Sequence, residues 1–228
     1  MSNFDSDGST NNDWEYRGEV AWNEFDWERY LREQDEAITR YRGFYDASES
    51  RTDRIDAVAD LMGWDIADWT DDIDDSSGSD DEDDDDDDTP REGDVYTLHK
   101  NPIFIATKAI ASGLQQVWLQ KAGSTPHLTP SLAVAMLNAF QRSEEHAVQA
   151  IHALDFGDYA MAISLFKRAL GVLNHCLALL NSDEVMQHES LPAFREFALP
   201  RLFDLREIWL RVINECRDEL DRSTDDEP

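Results

Sequence analysis

The sequence predicts an all-α protein in which a four-helix up-down bundle is preceded by a short helical, acidic N-terminal arm and a disordered poly-Asp linker. Apolar residues recur every three or four positions through four long segments of the C-terminal half. Proline and glycine divide that half into segments of about 20–25 residues, which suit an up-down bundle. No segment shows the alternation or the Val, Ile and Thr enrichment of strands. We therefore assign residues 95–222 to the bundle.

Two short helices are predicted within the arm, which we place at residues 14–70 after a disordered tail at 1–13. The first helix covers roughly 21–45, where apolar side chains recur at helical spacing. Its apolar face consists of Trp22, Phe25, Leu31, Ile38, Tyr41 and Tyr45. The second helix covers about 52–62 and ends at Gly63. Two helices of this size bury too little apolar surface to be stable alone, so we expect them to dock on another surface.

Acidic residues are concentrated in the first part of the chain. The chain carries 50 acidic and 20 basic side chains, and residues 1–94 hold 33 of the acidic ones against 8 basic ones. The acidic run at 80–88 repels itself, so residues 71–94 are predicted to form an extended, disordered linker. This regional excess favours an acidic segment over salt adaptation of the whole surface, which stays the alternative. A net charge of −30 repels the phosphate backbone of a nucleic acid, so we expect no nucleic-acid partner.

Start and stop signals divide the C-terminal half into four helices. Asn101-Pro102 and Thr129-Pro130 each place a capping side chain before a proline at the first helical position. Gly157-Asp158 marks a tight turn between the second and third helices. The predicted helices cover residues 102–123, 130–156, 159–180 and 190–220. Pro200 lies inside the fourth helix, where we expect a kink or a break, and residues 223–228 are expected to form a disordered tail.

The segment Gly157–Leu170 resembles the second half of a tetratricopeptide repeat. That family has a glycine at the turn, small residues at the positions of Ala162 and Ala169, and an aromatic residue at the position of Phe166. Small side chains at these places let two paired helices approach closely. No second copy appears at the family's period of about 34 residues. We therefore predict a tight helical hairpin inside the bundle.

No pattern in the chain requires a metal, a cofactor or a catalytic group, and we predict none of them. Cys176 and Cys216 lie within apolar helical patterns and are predicted to be buried free thiols. The histidines lack the paired Glu-x-x-His motifs of di-iron bundles, so we expect them at the surface or at interfaces. A site between the helices would require inward-facing polar side chains. The candidates for such a site are His146, His152, His175 and Glu196.

The aromatic residues of the arm are the strongest indication of function. Five of the seven tryptophans lie there among acidic residues, a composition that suits docking of an amphipathic helix in a groove. The predicted partner-docking residues are Trp22, Phe25, Trp27, Tyr30, Trp64 and Trp69. Two destinations are open to them: the protein's own bundle and a partner.

These observations favour a non-enzymatic protein–protein interaction or adaptor module. Its acidic arm would dock on its own bundle or on an unidentified protein partner, and the charge of the arm suits a basic one. The alternatives are a helical-bundle enzyme or small-molecule binder with a site between helices, and a structural subunit of a homo-oligomer. No apolar stretch reaches the roughly 20 residues of a membrane span, and the N-terminus lacks a signal-peptide pattern. We therefore expect a cytoplasmic protein without a membrane partner.

Overall fold

The computed structural model describes residues 23–64 and 101–225, with side chains up to Arg222. Within these ranges the regular elements are all α-helices and no strand occurs. The predicted all-α class is therefore confirmed for the described residues. The predicted tail at 1–13 and the predicted linker at 71–94 lie outside them.

Seven helices make up the described chain. They are α1 (Glu24–Ala47), α2 (Arg54–Met62), α3 (Pro102–Ser124), α4 (Pro130–Asp155), α5 (Tyr159–Leu180), α6 (Asp183–Met186) and α7 (Leu191–Asp225). The predicted helices agree with these bounds to within a few residues, except that α7 continues past Leu220 into the predicted C-terminal tail. The single turn of α6 has too few residues to produce an apolar period, so no helix was predicted there.

Capping side chains account for the starts of α3 and α4. The side-chain oxygen of Asn101 accepts two backbone N–H groups in the first turn of α3, and the Thr129 hydroxyl accepts one in the first turn of α4. Each cap is followed by a proline, whose missing N–H would have had no partner in the first turn. Gly63 ends α2 in the left-handed conformation, with φ of 78°. These boundaries were all predicted.

Four long helices enclose a common hydrophobic core. Helix α3 packs on α4 and on α7, α4 packs on α5, and α5 packs on α7, so that the helix contacts close into a ring. Trp118 and Trp209 are fully buried in this core. Their indole N–H groups donate to the Ala133 carbonyl (3.0 Å) and to the Thr107 hydroxyl (3.1 Å), respectively. Because a buried N–H without an acceptor destabilises a fold, these two bonds restrict how α3 can slide against α4 and α7.

The hairpin of α4 and α5 forms as predicted from the repeat-like segment. Gly157 occupies the turn with φ of 69°. Ala162, Phe166 and Ala169 are fully buried on one face of α5. The two small side chains allow close approach of the neighbouring helix, and the aromatic ring fills the space between them at the density usual for protein interiors.

Of the kink or break expected at Pro200, the break does not occur, since α7 is continuous from Leu191 to Asp225. Pro200 lies on the exposed face of α7, whereas Ala198 and Leu202 are fully buried. Both halves of the helix are therefore attached to the same core. The side chain of Arg201 also donates to the carbonyl of Phe197 (2.9 Å), in the turn that the proline ring crowds. Packing on both sides of the proline keeps the helix intact.

Helix α5 is, among the described residues, the one helix long and apolar enough to cross a membrane by length and composition. Its middle contains Lys167 and Arg168. Its apolar face packs against α4 and α7. A single helix of this kind is weak evidence for a membrane span, because the core helix of a soluble protein has the same composition.

Both cysteines are buried free thiols, as predicted. Burial raises the pKa of Cys176 and of Cys216 to about 12. Reaction with a disulfide reagent requires both access and the thiolate form, and the native fold denies both.

We therefore predict that neither cysteine reacts with a thiol-specific chromogenic disulfide at pH 8 in the native protein. Both should react promptly once the chain is unfolded in guanidinium chloride, because unfolding exposes the sulfur atoms and restores their ordinary acidity. The absorbance of the released thiolate measures this reaction. Stoichiometric labelling of the native protein, faster than its unfolding, would contradict the burial of these residues.

Two exposed glycines provide a matched test of the backbone. A Cβ atom added to Gly171 or to Gly157 meets no heavy atom within 4 Å. Gly171 lies inside α5, whereas Gly157 has φ of 69°. We predict that Gly171→Ala stabilises the protein by about 0.5–1 kcal/mol, the usual gain in a helix interior. Gly157→Ala should destabilise it by about 1 kcal/mol, the cost of a left-handed alanine.

Urea denaturation followed by far-ultraviolet circular dichroism measures both changes. Changes of the same sign in the two variants would contradict this assignment of backbone conformations.

Candidate functional site

The second half of the arm docks on the protein's own helical domain. Helix α1 packs on α3, and Tyr41 and Tyr45 are buried almost completely. Ile55 and Val58 of α2 are buried as well and belong to the same hydrophobic cluster as the four long helices. The arm therefore contributes to the core. The aromatic residues Tyr41 and Tyr45 therefore pack on the protein's own helical domain and not on a partner.

A partly buried carboxylate lies at the centre of the contact between the arm and the domain. Asp204 of α7 accepts hydrogen bonds from the Tyr45 hydroxyl (2.5 Å) and from Nε of Arg54 (2.8 Å). The Arg54 side chain is 4% exposed, and its guanidinium carbon lies 4.2 Å from the centre of the Tyr45 ring. Burial, and then the negative charge of Asp204, raise the pKa of Tyr45 above its ordinary range. Tyr45 is consequently a neutral donor at physiological pH.

Two arginines of α7, Arg201 and Arg211, also bind acidic residues of the arm. Arg201 is buried, and its Nη2 donates to Oδ1 of Asp46 (3.0 Å). Its guanidinium carbon also lies 3.6 Å from the centre of the Phe197 ring. Arg211 forms an ion pair with Asp56 of α2. Basic side chains on α7 thus face the acidic helices of the arm.

The six predicted docking residues separate into three groups. The first group is buried or half-buried. Trp64 is half-buried and stacks on Tyr41, with ring centres 5.6 Å apart. Tyr30 is buried, and its ring packs edge to face with the ring of Trp27. Phe25 and Trp27 are 75% and 48% exposed. Trp22 and Trp69 lie outside the described residues.

The residues that hold the arm in place were not among the predicted docking residues. Tyr41 and Tyr45 were recognised as part of an apolar stripe, and their spacing of four indicated that they share a face. Nothing in the sequence pairs Arg54 with Asp204, because the two residues are 150 positions apart.

The four polar side chains considered for a site between helices do not assemble into one. His146 and His175 line a groove between α4 and α5, and His152 and Glu196 do not. His152, His175 and Glu196 are all exposed. In the part of the chain that the structure describes, no three His, Cys, Asp or Glu side chains come together in a way that could hold a metal ion.

Two buried tyrosines, one helical turn apart, test the contact around Asp204. The Tyr45 hydroxyl donates to a carboxylate, whereas the buried Tyr41 hydroxyl has no hydrogen-bond partner among the described residues. We predict that Tyr45→Phe lowers the free energy of unfolding by about 2 kcal/mol, since it removes a hydrogen bond to a charged group. Tyr41→Phe should be neutral or stabilising, because it removes an unsatisfied polar atom. Denaturant unfolding measures both values, and equal losses in the two variants would refute this account.

No family model matches the chain, and no curated protein or solved structure is detectably similar to it. The helix contacts, charges and exposed side chains of the described residues are therefore the basis for assigning a function. They include the buried end of α1, its exposed end and a groove between α4 and α5.

Proposed function

We propose that this protein is a non-enzymatic protein–protein interaction or adaptor module. Its residues 95–222 would form an up-down four-helix bundle on which the second half of the acidic arm stays docked. The first half of α1 would then bind a protein partner. A cytoplasmic location belongs to the same proposal.

The observation that supports this proposal is a stripe along α1 that is buried at one end and about half exposed at the other. Spacings of four and three residues place the stripe on one helix face. Its members are Trp27, Leu31, Gln34, Ile38, Tyr41 and Tyr45. Tyr41 and Tyr45 are buried on the domain, while Trp27 and Leu31 are 48% and 45% exposed. The exposed part thus continues a face that already serves as an interface.

Spacing and charge indicate the kind of partner. Alternating steps of four and three are the pattern by which one helix packs along another or lies in a hydrophobic groove. Residues 24–36 contain six acidic and two basic side chains. A groove with apolar walls and a rim of Lys and Arg would therefore match the exposed half of α1. Trp27 would be a natural anchor, since tryptophan is common among the residues that dominate binding energy.

The same stripe could be covered by a second copy of the chain, as in the homo-oligomer alternative. Light scattering on the purified full-length protein distinguishes the two cases. A monomer favours a different partner, whereas a dimer that Trp27→Ala and Leu31→Ala dissociate favours self-association.

The interaction proposal predicts a selective loss of binding in the double variant Trp27→Ala, Leu31→Ala. Affinity capture from native lysate, quantified by mass spectrometry, should recover one or more proteins with the unaltered chain. The double variant should recover at least about tenfold less of the same proteins, because anchor side chains each contribute about 1 kcal/mol or more to binding. The matched control is Leu119→Ala, Val134→Ala. These two residues are comparably exposed on α3 and α4.

Point variants are preferable to deletion of the arm, because deletion would uncover the core around Asp204. Circular dichroism should show that both double variants stay folded. Equal recovery of every protein by the two double variants would contradict the proposed role of the α1 stripe.

A further inference from the structure

The groove between α4 and α5 differs in charge from the rest of this acidic protein. It has a volume of about 640 Å³, within the range of roughly 300–1,000 Å³ typical of small-molecule sites. The polar side chains along it are Asn138, Arg142 and His146 of α4, and Arg168 and His175 of α5. No acidic residue lines it.

The shape of the groove follows from residue spacing and from small side chains. Steps of three and four place Asn138, Arg142 and His146 on one face of α4, and Arg168 and His175 lie seven apart on one face of α5. Gly171 lies between the latter two on α5. A Cβ atom added to it would meet no heavy atom within 4 Å, so the absence of a side chain there leaves open space.

The two arginines of the groove carry uncompensated charge. Neither Arg142 nor Arg168 makes a hydrogen bond or an ion pair with any residue that the structure describes. By contrast, Arg54, Arg201 and Arg211 bind carboxylates. Helix α5 contains no acidic residue at all. In a chain with 50 acidic side chains, two unpaired guanidinium groups in one groove form a local site for negative charge.

A histidine at the groove contains a buried ring nitrogen that the described part of the fold leaves unsatisfied. Nδ1 of His146 is buried and has no hydrogen-bond partner among the described residues. A buried polar atom without a partner is destabilising unless something else satisfies it. His146 lines the same groove as the two arginines. Because Nδ1 is enclosed by protein atoms, a ligand in the groove can contact the ring of His146 but not this nitrogen.

We propose that the α4–α5 groove binds a small phosphate-bearing molecule, a phosphate monoester or inorganic phosphate. Guanidinium groups present fixed pairs of N–H donors that match phosphate oxygens. The imidazoles of His146 and His175 and the amide of Asn138 add donors of the same kind. A nucleic-acid polymer does not fit the site, since the net charge of −30 opposes a polyanion. This inference is independent of the α1 stripe, and either proposal can fail alone.

Isothermal titration calorimetry of the full-length protein tests the groove with inorganic phosphate, glucose 6-phosphate and glucose at constant ionic strength. We expect binding of one phosphate or ester per chain and none of glucose. Tighter binding of the ester identifies an organic phosphate as the preferred ligand, and equal binding identifies free phosphate. Arg142→Gln and Arg168→Gln should each weaken binding at least about tenfold, because each removes charged donors.

Two further variants separate the groove from a general effect of charge. Arg206→Gln changes an exposed arginine of α7 outside the groove and should leave binding unchanged. Gly171→Leu should abolish binding by filling the groove while it leaves every charge in place. The proposal is overturned by the absence of phosphate binding at about 10 mM ligand, by equal effects of Arg142→Gln and Arg206→Gln, or by unchanged binding in Gly171→Leu.

Discussion

A carboxylate enclosed between helices requires positive charge and hydrogen-bond donors close by, and Asp204 obtains both from the arm. The Arg54 guanidinium and the Tyr45 hydroxyl converge on it. Without them, a largely buried charge would face the apolar interior, which is strongly unfavourable. The stacking of Arg54 on the Tyr45 ring links the ion pair to aromatic packing. The position of the arm on the domain depends on this contact.

Local charge pairs explain how the acidic arm can dock on an acidic domain. An arm with a large acidic excess would be expected to repel an acidic domain, yet α7 presents Arg201 and Arg211 to the carboxylates of the arm. The opposite charges are arranged locally, so the net charges of the two parts of the chain do not decide whether they associate. Because Arg201 is buried and also contacts an aromatic ring, its ion pair is less screened by salt than an exposed pair would be.

The arm and the α4–α5 hairpin illustrate two uses of small and large side chains. Along α1, large aromatic residues fill a shared core at one end and remain exposed at the other. On the outer face of the hairpin, Gly171 leaves a groove, while Ala162 and Ala169 on the inner face of α5 allow close packing. The same helix can therefore support the fold on one face and leave space on another. Such a division is what a binding site on a packed helix requires.

Local signals in the sequence were sufficient for the helical class and most helix boundaries. Asn101-Pro102, Thr129-Pro130 and Gly63 act within one turn of the backbone, so their effects can be read from neighbouring residues. The burial of Cys176 and Cys216 followed from the apolar periodicity around them. The continuity of α7 could not be predicted in this way, because Ala198 and Leu202 hold the helix on both sides of its proline by contacts with other helices.

The sequence by itself determined where the six longer described helices form and which of their faces are apolar. Only the tertiary structure decided that Arg54 meets Asp204 and that Arg142 and Arg168 share a groove. Periodicity defines a face but not the neighbour that covers it. Partners far apart in sequence are selected by the packing of the whole chain, in which shape, charge and hydrogen bonding must be satisfied together.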